Sequence, residues 1–598
     1  MKNKLLKNPQ HVAQMGYNPF TLHRSVDRTD TVGQLTPCYS ALLKAGDKID
    51  ASVFIRTRTM PLLAPASASL HQCVDWFFVP LNQILQQFGN WLENVRDEKS
   101  DFYADLTANN SPQNLPCFNP GNLFVYLAQD LSLDNDQHAY DAQDSLRLAD
   151  CLGIPVAYIM DDWNTSEGWN VGAASFTNKL NVFFPAAYQK IYYDFYRLSD
   201  REKNDPQAYN FDSFMKASNS PTSSNDIGSR LLKLFKLHYV PYRKDYFTNL
   251  FISPVQGQKD LSSYGINPAQ VNQWLSGLSG LALYSPSSGL AFPSGGYTTV
   301  QDSNPTTVGL RTTSGVSATT AMVSGLVNPP NISTMFAVQK MLEISRRAGK
   351  HFDAQTLAHY GVNVPLGISG EVMHLGHHEQ PFIIGDVIST AETDDSPLGE
   401  MAGKGYSSGT MKNHVRFEAP YHGVLMAIHY VIPDVVYEQS GFEKEQTYIT
   451  PADWPRPETD SLGMQPLFGY ECQPLGYSSG SDVVGWQYRY QELKMKYNVA
   501  YGGVHPKGSL HYWALSRYKP VDNNLYSFLV PPTYLNDIMV NSFSYDNGVA
   551  NVVNSATGSG TYIRFVYSRL YVNDPLVTHF EFNVKKSSKM STYGLLPL

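Results

Sequence analysis

The sequence predicts a mainly β protein, a single eight-stranded antiparallel jelly-roll β-barrel with long loop and helical insertions. Strand-like patterns stand near both ends of the 598-residue chain, and helices and loops stand between them. The strands from the two ends must therefore pair across several hundred residues. The Greek-key connections of a jelly roll bring such distant strands together and let its loops carry the insertions.

The strand patterns have a period of two. In residues 52–58, β-branched side chains alternate with Phe54, Arg56 and Arg58, which predicts one buried face and one face that bears arginines. Residues 74–80 form an aromatic run that ends at a proline. In residues 579–585, Phe and Val alternate with polar residues, which predicts a half-buried final strand.

Between these strands the composition changes several times. Ser, Gly and Thr crowd the stretch from 258 to 330, which is longer than an ordinary loop. Ser333, the Arg346–Arg347 pair and Gly349 are typical of the ends of a helix. We therefore predict a basic N-terminal arm at 1–20, a jelly-roll domain at 21–598, a loop and helix insertion at 90–257, a Ser/Gly/Thr-rich insertion at 258–330, a helix at 331–350, and C-terminal barrel strands and loops at 380–598.

Charge and cysteine content exclude several classes of protein. The net charge of −8 argues against a surface that grips nucleic acid everywhere, although a local basic face is compatible with it. The five cysteines are widely spaced without a CxxC pair, so we expect neither a zinc site nor a disulfide framework, and a reducing cytoplasm fits best. The basic N-terminus lacks the apolar core of a signal peptide, and we expect no membrane span.

The histidines are the candidates for metal binding and for a pH switch. The run HLGHHE at 374–379 resembles a metal-binding cluster, but it lacks the HExxH spacing and Gly376 favours a loop that contacts a neighbouring subunit. His414, His422 and His429 suggest a pH switch, although His429 lies in an apolar strand and is predicted to be a hydrogen-bonded core histidine. A P-loop motif is absent. We therefore expect no catalytic residue, metal or cofactor, and no enzyme.

A series of short blocks, in sequence order, resembles the Microviridae major capsid protein, in particular its gokushovirus-like branch. In the block at 148–155 Cys151 replaces the aromatic residue that relatives usually carry. The blocks span nearly the whole chain: VGQLTP at 32–37, AGD at 45–47, WFFVP at 76–80, LADCLGIP at 148–155, PAAY through YDF at 185–195, KDYFT at 244–248, AVQKMLE at 337–343, LGMQP at 462–466, QYRY at 487–490, DP through FNV at 574–584, and MSTYG at 590–594.

The resemblance implies a structural subunit and its partners. It implies self-assembly, through two-, three- and fivefold contacts, into a small T=1 icosahedral shell around the circular single-stranded DNA of a bacteriophage. The shell would be assembled in the host cytoplasm with a small basic DNA-packaging protein and with scaffolding and pilot proteins. The 258–330 insertion would form a protrusion at the threefold axes and contact a host surface receptor.

Lysines and arginines near the two chain ends are the candidate DNA contacts, because mobile cations suffice to pair with phosphates. Their alternative interpretation is that they are simply solvated termini. The predicted DNA-binding residues are Lys2, Lys4, Lys7, Arg24, Arg28, Lys585, Lys586 and Lys589.

Two other classes of protein remain open from the residues alone. An extracellular carbohydrate-binding or hydrolysing β-sandwich protein would share the aromatic content, low charge and long loops, but the absence of a signal peptide counts against it. A cytoplasmic single-stranded DNA-binding protein is opposed by the acidic net charge and the great length.

Overall fold

A computed structural model gives the conformation of a large part of the chain. It describes residues 16–60, 69–86, 88–92, 115–120, 123, 136–156, 179–199, 201–215, 230–253, 281–284, 309–312, 329–349, 351–363, 370–388, 401–411, 414–451, 453–460, 463–473, 482–505, 507–510, 513–514, 516–520, 528–529, 552–554, 561–563 and 574–590.

Strands dominate the described residues. In chain order they are β1 (Asn18–Thr21), β2 (Arg24–Asp30), β3 (Thr36–Leu43), β4 (Lys48–Thr59), β5 (Leu70–Pro80), β6 (Cys117–Phe118), β7 (Leu180–Asn181), β8 (Leu281–Tyr284), β9 (Gly309–Thr312), β10 (Met373–Pro381), β11 (Ile383–Ile388), β12 (Met401–Thr410), β13 (Val415–Glu418), β14 (Gly423–Pro433), β15 (Val436–Glu438), β16 (Met464–Phe468), β17 (Val483–Tyr488), β18 (Asn498–Ala500), β19 (Val552–Asn554), β20 (Thr561–Ile563) and β21 (Leu576–Ser588).

Helices are fewer and mostly short. They are α1 (Phe88–Leu92), α2 (Asp136–Cys151), α3 (Phe183–Ile191), α4 (Pro329–Ala348), α5 (Phe352–Tyr360), α6 (Gly469–Cys472) and α7 (Gln491–Lys494). A π-helical turn at Tyr192–Tyr196 continues α3. Single 3₁₀ turns lie at Leu81–Gln83, Pro206–Ala208, Asp212–Met215, Lys444–Thr447, Pro457–Thr459 and Gly502–Val504.

Two antiparallel sheets form the centre of the fold. The larger is seven-stranded and has the order β1-β21-β4-β12-β11, with β2 also paired to β21 and β13 also paired to β4. The smaller is four-stranded and has the order β10-β5-β14-β3. In the larger sheet β21 lies between β4 on one side and β1 and β2 on the other, so strands from both ends of the chain pair, as the sequence predicted.

A hydrophobic core fills the space between these two sheets. Alternate residues of β4 and β21, such as Ile55 and Phe582, pack against Trp76 and Phe78 of β5. The rings of Trp76 and Phe582 meet edge to face with centroids 6.0 Å apart. The opposite face of β4 and β21 is largely exposed, which explains the period of two in both sequences.

The two central strands of the smaller sheet, β5 and β14, are buried on both faces. β5 and β14 therefore read as nearly continuous apolar runs without alternation. On the face away from the first core, Phe77 packs against Phe195 with ring centroids 4.9 Å apart, in a second core that also contains Tyr188 of α3 and Phe235. The helices of the 90–257 stretch thus cover this sheet.

The prediction of a mainly β fold is confirmed, but a single eight-stranded barrel is not. In the part of the chain that the structure describes, neither main sheet closes on itself, and further short sheets lie outside the sandwich. The run from His374 to Glu379, expected in a loop, is instead part of strand β10, because a β-bulge between His374 and Gly376 accommodates the glycine. That expectation was wrong.

The chain divides into two compact units, residues 1–252 with 365–598 and residues 253–364. The second unit contains helices α4 and α5. Here the Gln355 side chain donates hydrogen bonds to the carbonyl oxygens of Ser345 and Gly349. Helix α4 covers most of the region 331–350, which was predicted as a helix. Most of the 258–330 insertion lies outside the described residues, apart from the β8–β9 pair.

Candidate nucleic-acid interface

The exposed face of the seven-stranded sheet carries a group of cations. On β4 the odd-numbered residues from Ile49 to Thr59 point into the core, so Arg56 and Arg58 point outward and are exposed. β12 runs beside β4, and the register places Tyr406 opposite Arg58. Lys404, two residues from Tyr406 on the same face, adds a third exposed cation.

These three cations have no carboxylate partner among the described residues. Lys404, Arg56 and Arg58 form no ion pair there. Next to them, Tyr406 is 50% exposed. Three cations and an exposed aromatic ring thus lie on one face of the sheet. We call Phe54, Arg56, Arg58, Lys404 and Tyr406 the β4–β12 face.

Other charges on the same sheet are already paired. Lys48 contacts Glu418 at 3.4 Å, and both side chains are more than half exposed. Asp50 accepts from His414 at 2.8 Å and lies 3.5 Å from the Arg416 guanidinium. The cations of the β4–β12 face differ from these, because none of the three has a carboxylate partner among the described residues.

The predicted lysines near the C-terminus lie along the end of β21. Lys585 is exposed, while the ammonium of Lys586 contacts the buried carboxylate of Asp47 at 2.7 Å. Burial would raise the pKa of Asp47, but hydrogen bonds from Lys586 and Ser588 lower it below its ordinary value. Lys589 is exposed and its ammonium lies 5.3 Å from the centre of the Tyr17 ring. Lys586 thus has a structural partner, whereas Lys585 and Lys589 face solvent.

Arg24 and Arg28 lie on β2 in different surroundings. Arg24 is exposed at the end of the strand. The side chain of Arg28 is only 12% exposed and pairs with Asp30 at 2.9 Å. Burial would raise the pKa of Asp30, but the Arg28 guanidinium and His429 hold it well below its ordinary value. Arg28 also donates to Nδ1 of His429 at 3.1 Å, which confirms His429, 1% exposed, as a hydrogen-bonded core histidine. The guanidinium of Arg28 thus forms its ion pair and hydrogen bonds with residues inside the protein.

Lys2, Lys4 and Lys7 lie outside the described residues. The first described strand runs beside the last one, because Asn18 pairs with Ser588 and its side-chain amide donates to the carbonyl oxygen of Met590 at 2.6 Å. The C-terminal lysines therefore lie close to strand β1.

Sequence analysis missed the β4–β12 face as a single feature. The period of two revealed a face bearing Arg56 and Arg58, but Lys404 and Tyr406 are far away in the sequence. Only the pairing of β12 with β4 brings them together. In chemical terms, such a surface can pair cations with phosphates and stack an unpaired base on an open ring.

Comparisons with known proteins define the class of this protein as a viral capsid protein. The family model described as capsid protein (F protein) of phages matches residues 167–541. The chain belongs to this phage capsid protein family, which confirms the resemblance to the Microviridae capsid proteins.

One relative is the capsid protein VP1 of Bdellovibrio phage phiMH2K, to which the chain is 25% identical over 199 residues. The match covers 31% of this chain and 36% of the phage protein, so it spans only about a third of that relative's length.

Family membership decides between the classes left open by the sequence. A capsid protein has a structural role, which confirms the prediction that the chain is not an enzyme, and it is part of the virion. The carbohydrate-binding β-sandwich and the cytoplasmic DNA-binding protein are therefore not favoured. Among the described residues, no helix is both long and apolar enough to cross a membrane.

Proposed function

We propose that this chain is the major capsid subunit of a T=1 icosahedral shell that encloses the circular single-stranded DNA of a bacteriophage. The observation that carries this proposal is the family match over residues 167–541, together with a sandwich of two antiparallel sheets around one core. We further propose that these two sheets are the halves of an eight-stranded jelly roll, to which the remaining strands are additions.

Self-assembly is supported by aromatic and aliphatic side chains at the surface of the single subunit. Large apolar side chains left in water indicate contact surfaces, and obligate interfaces bury roughly 2,000–5,000 Å² each. Closed symmetry repeats each contact many times, so a modest contact suffices. Side chains at least 60% exposed include Ile449, Tyr360, Phe352, Ile383, Trp454 and Tyr501.

The β4–β12 face supports contact with the genome. Its three unpaired cations suit phosphates, and Tyr406 offers a ring on which an unpaired base can stack at about 1–3 kcal/mol. We add this face to the solvent-facing residues Arg24, Lys585 and Lys589 as proposed DNA contacts. The other DNA contacts predicted from the sequence stay predictions, namely Arg28, Lys586, Lys2, Lys4 and Lys7.

A net charge of −8 leaves the genome largely unneutralised by this chain alone. We therefore propose a small basic DNA-packaging protein as a partner inside the shell. Scaffolding and pilot proteins, together with assembly in the host cytoplasm, complete the proposed assembly.

The regions of the chain take proposed roles in this shell. Residues 1–20 would be a basic arm, residues 21–598 the jelly-roll domain, and residues 90–257 its helical insertion. The 258–330 insertion would form the threefold protrusion that meets the host receptor. Deleting residues 265–325 should abolish attachment of assembled particles to host cells, and unchanged attachment would refute the receptor role.

Particle imaging tests the proposed shell directly. The chain is expressed with the neighbouring phage genes, treated with nuclease, and examined by cryo-electron microscopy. Uniform icosahedral particles that hold protected single-stranded DNA are expected. A folded monomer or dimer that gives no particles under any assembly condition would contradict the shell.

A further inference from the structure

We infer that Cys73, His377 and Glu379 form a binding site for a thiophilic divalent cation, with Zn²⁺ as the best match. A sulfur, a nitrogen and an oxygen donor of these residues all lie within 4.8 Å of one another. Thiolate, imidazole and carboxylate are the donors that zinc uses in proteins. The proposal is independent of the shell and of DNA binding.

Strand pairing builds this cluster. The register of β10 against β5 places Glu379 opposite Cys73 and His377 opposite Asp75. Residues 377 and 379 on β10 and residues 73 and 75 on β5 thus share one face of the sheet. Sequence analysis did not reveal this cluster, because the histidine run lies some 300 positions from Cys73 and was expected in a loop.

The hydrogen bonds of His377 leave one nitrogen for an ion. Its Nδ1 lies 2.5 Å from Oδ1 of Asp75, whose other oxygen accepts from the Tyr196 hydroxyl at 2.5 Å. This carboxylate fixes the ring and points Nε2 at the cluster, as second-shell carboxylates do for metal-bound histidines.

Glu379 is held in the same manner. Its Oε1 accepts from Arg243 at 2.7 Å and lies 2.7 Å from Nδ1 of His71. Its Oε2 faces Nε2 of His377 at 3.4 Å, which is long for a hydrogen bond. Two ligand atoms on one tetrahedral zinc ion lie roughly 3.3 Å apart, given metal–ligand distances of about 2.0–2.1 Å. The separation therefore suits an ion between them better than a direct contact.

Access and proton balance are also compatible with an ion. The side chains of His377 and Glu379 are 40% and 33% exposed, so a hydrated cation can reach the buried Cys73 thiol from solvent. Burial, with the nearby carboxylates of Glu379 and Asp75, raises the pKa of this thiol to about 12. Binding forms a metal–sulfur bond and releases to the buffer the proton of the thiol, together with any proton carried by Nε2 of His377.

Calorimetric titration of the full-length, chelator-treated protein with ZnCl₂ tests the site. One Zn²⁺ per chain is expected, with proton release that appears as a dependence of the heat on buffer ionisation enthalpy. Cys73→Ser, His377→Gln and Glu379→Gln should each weaken binding by at least about tenfold, and Asp75→Asn by about 10–100-fold. Cobalt titration should give a thiolate charge-transfer band that Cys73→Ser removes while the protein stays folded.

Two control variants separate the site from nonspecific binding. His378 adjoins His377 but points to the other face of β10, and Cys472 lies in a different core. His378→Gln and Cys472→Ser should bind Zn²⁺ like the unchanged chain. The proposal is overturned if the unchanged chain binds no stoichiometric Zn²⁺, or if His378→Gln weakens binding as much as His377→Gln does.

Discussion

Arg147 of helix α2 and Asp574, two residues before strand β21, form an ion pair in the protein interior, where their side chains are 7% and 3% exposed. Thr29 and Thr31 donate hydrogen bonds to the same carboxylate at 2.5 and 2.7 Å. This contact joins the helical insertion, the end of β2 with the residue that follows it, and the residues just before the last strand.

Breaking this pair should destabilise the protein strongly. Asp574→Asn removes the carboxylate that pairs with the buried Arg147 charge, which costs about 3–5 kcal/mol of unfolding free energy. Urea denaturation of the unassembled subunit should therefore show a clear fall in the midpoint. Glu418→Gln breaks the exposed Lys48–Glu418 pair as a control and should cost less than about 1 kcal/mol. Equal shifts for the two variants would refute the structural role of Asp574.

The close packing at Gly423 gives a second prediction. A Cβ atom at this position of β14 would collide with the Phe78 ring and lie 2.7 Å from the Val79 carbonyl oxygen. Gly423→Ala should thus lower the unfolding free energy by about 1–3 kcal/mol through overpacking. Gly385 on β11 is a matched control, because a Cβ there meets nothing within 4 Å. If Gly385→Ala lowers the thermal unfolding midpoint as much, the packing explanation fails.

A buried histidine predicts how stability depends on pH. His238 is 4% exposed, stacks on Tyr192 with ring centroids 3.5 Å apart, and its Nε2 lies 2.7 Å from Oε1 of Gln189. Burial, with a smaller effect of the Lys236 charge, holds the pKa of His238 well below the ordinary 6.5. The folded state therefore excludes a proton that the unfolded state binds below pH 6.5.

The contribution of the buried, neutral His238 to the unfolding free energy is fully present above the ordinary histidine pKa. This contribution is lost as the pH falls below that value. The unfolding free energy should decrease between about pH 7.5 and about pH 5.5, by at most about 1.4 kcal/mol per pH unit for this residue. His238→Gln should flatten this dependence, and His23→Gln, at an exposed histidine, should leave it in place. An unchanged slope in His238→Gln would contradict the prediction.

The β4–β12 face predicts a salt-dependent contact with single-stranded DNA. The double variant Arg56→Gln/Arg58→Gln should reduce the slope of log affinity against log salt concentration by about 1.4, because each phosphate contact on a single strand contributes about 0.7. Fluorescence anisotropy with an oligonucleotide measures this slope. Arg416→Gln is the control, since Arg416 lies on the same sheet but is beside Asp50. Identical slopes for the double variant and the unchanged chain would remove this face from the proposed DNA contacts.

Local patterns were sufficient to predict several elements of this fold. The alternation in residues 52–58 and 579–585 corresponds to β4 and β21, whose outer faces meet solvent. The run at 74–80 belongs to β5, which has no alternation because both of its faces are covered. A period of two reports which faces of a strand are buried, and it was correct wherever one face stayed open.

Features that depend on pairing between distant segments could not be predicted in this way. Periodicity does not reveal which strand lies next to β4, so the position of Tyr406 opposite Arg58 was not foreseen. Gly376 suggested a loop, but a β-bulge lets β10 continue past it. Arg28 resembled a mobile cation in the sequence, and only the fold shows that Asp30 and His429 surround it.

The position of β21 between β2 and β4 has a consequence for synthesis on the ribosome. More than 500 residues are added after β4 before its neighbour β21 exists, which takes about half a minute or longer at about 5–20 residues per second. Throughout that time the nascent chain exposes the edge of β4 that later pairs with β21. The apolar side chains of β4 that later pack with those of β21 are exposed as well. This sheet therefore cannot be completed until β21 has been synthesised, and the chain is most prone to aggregate in the interval before that.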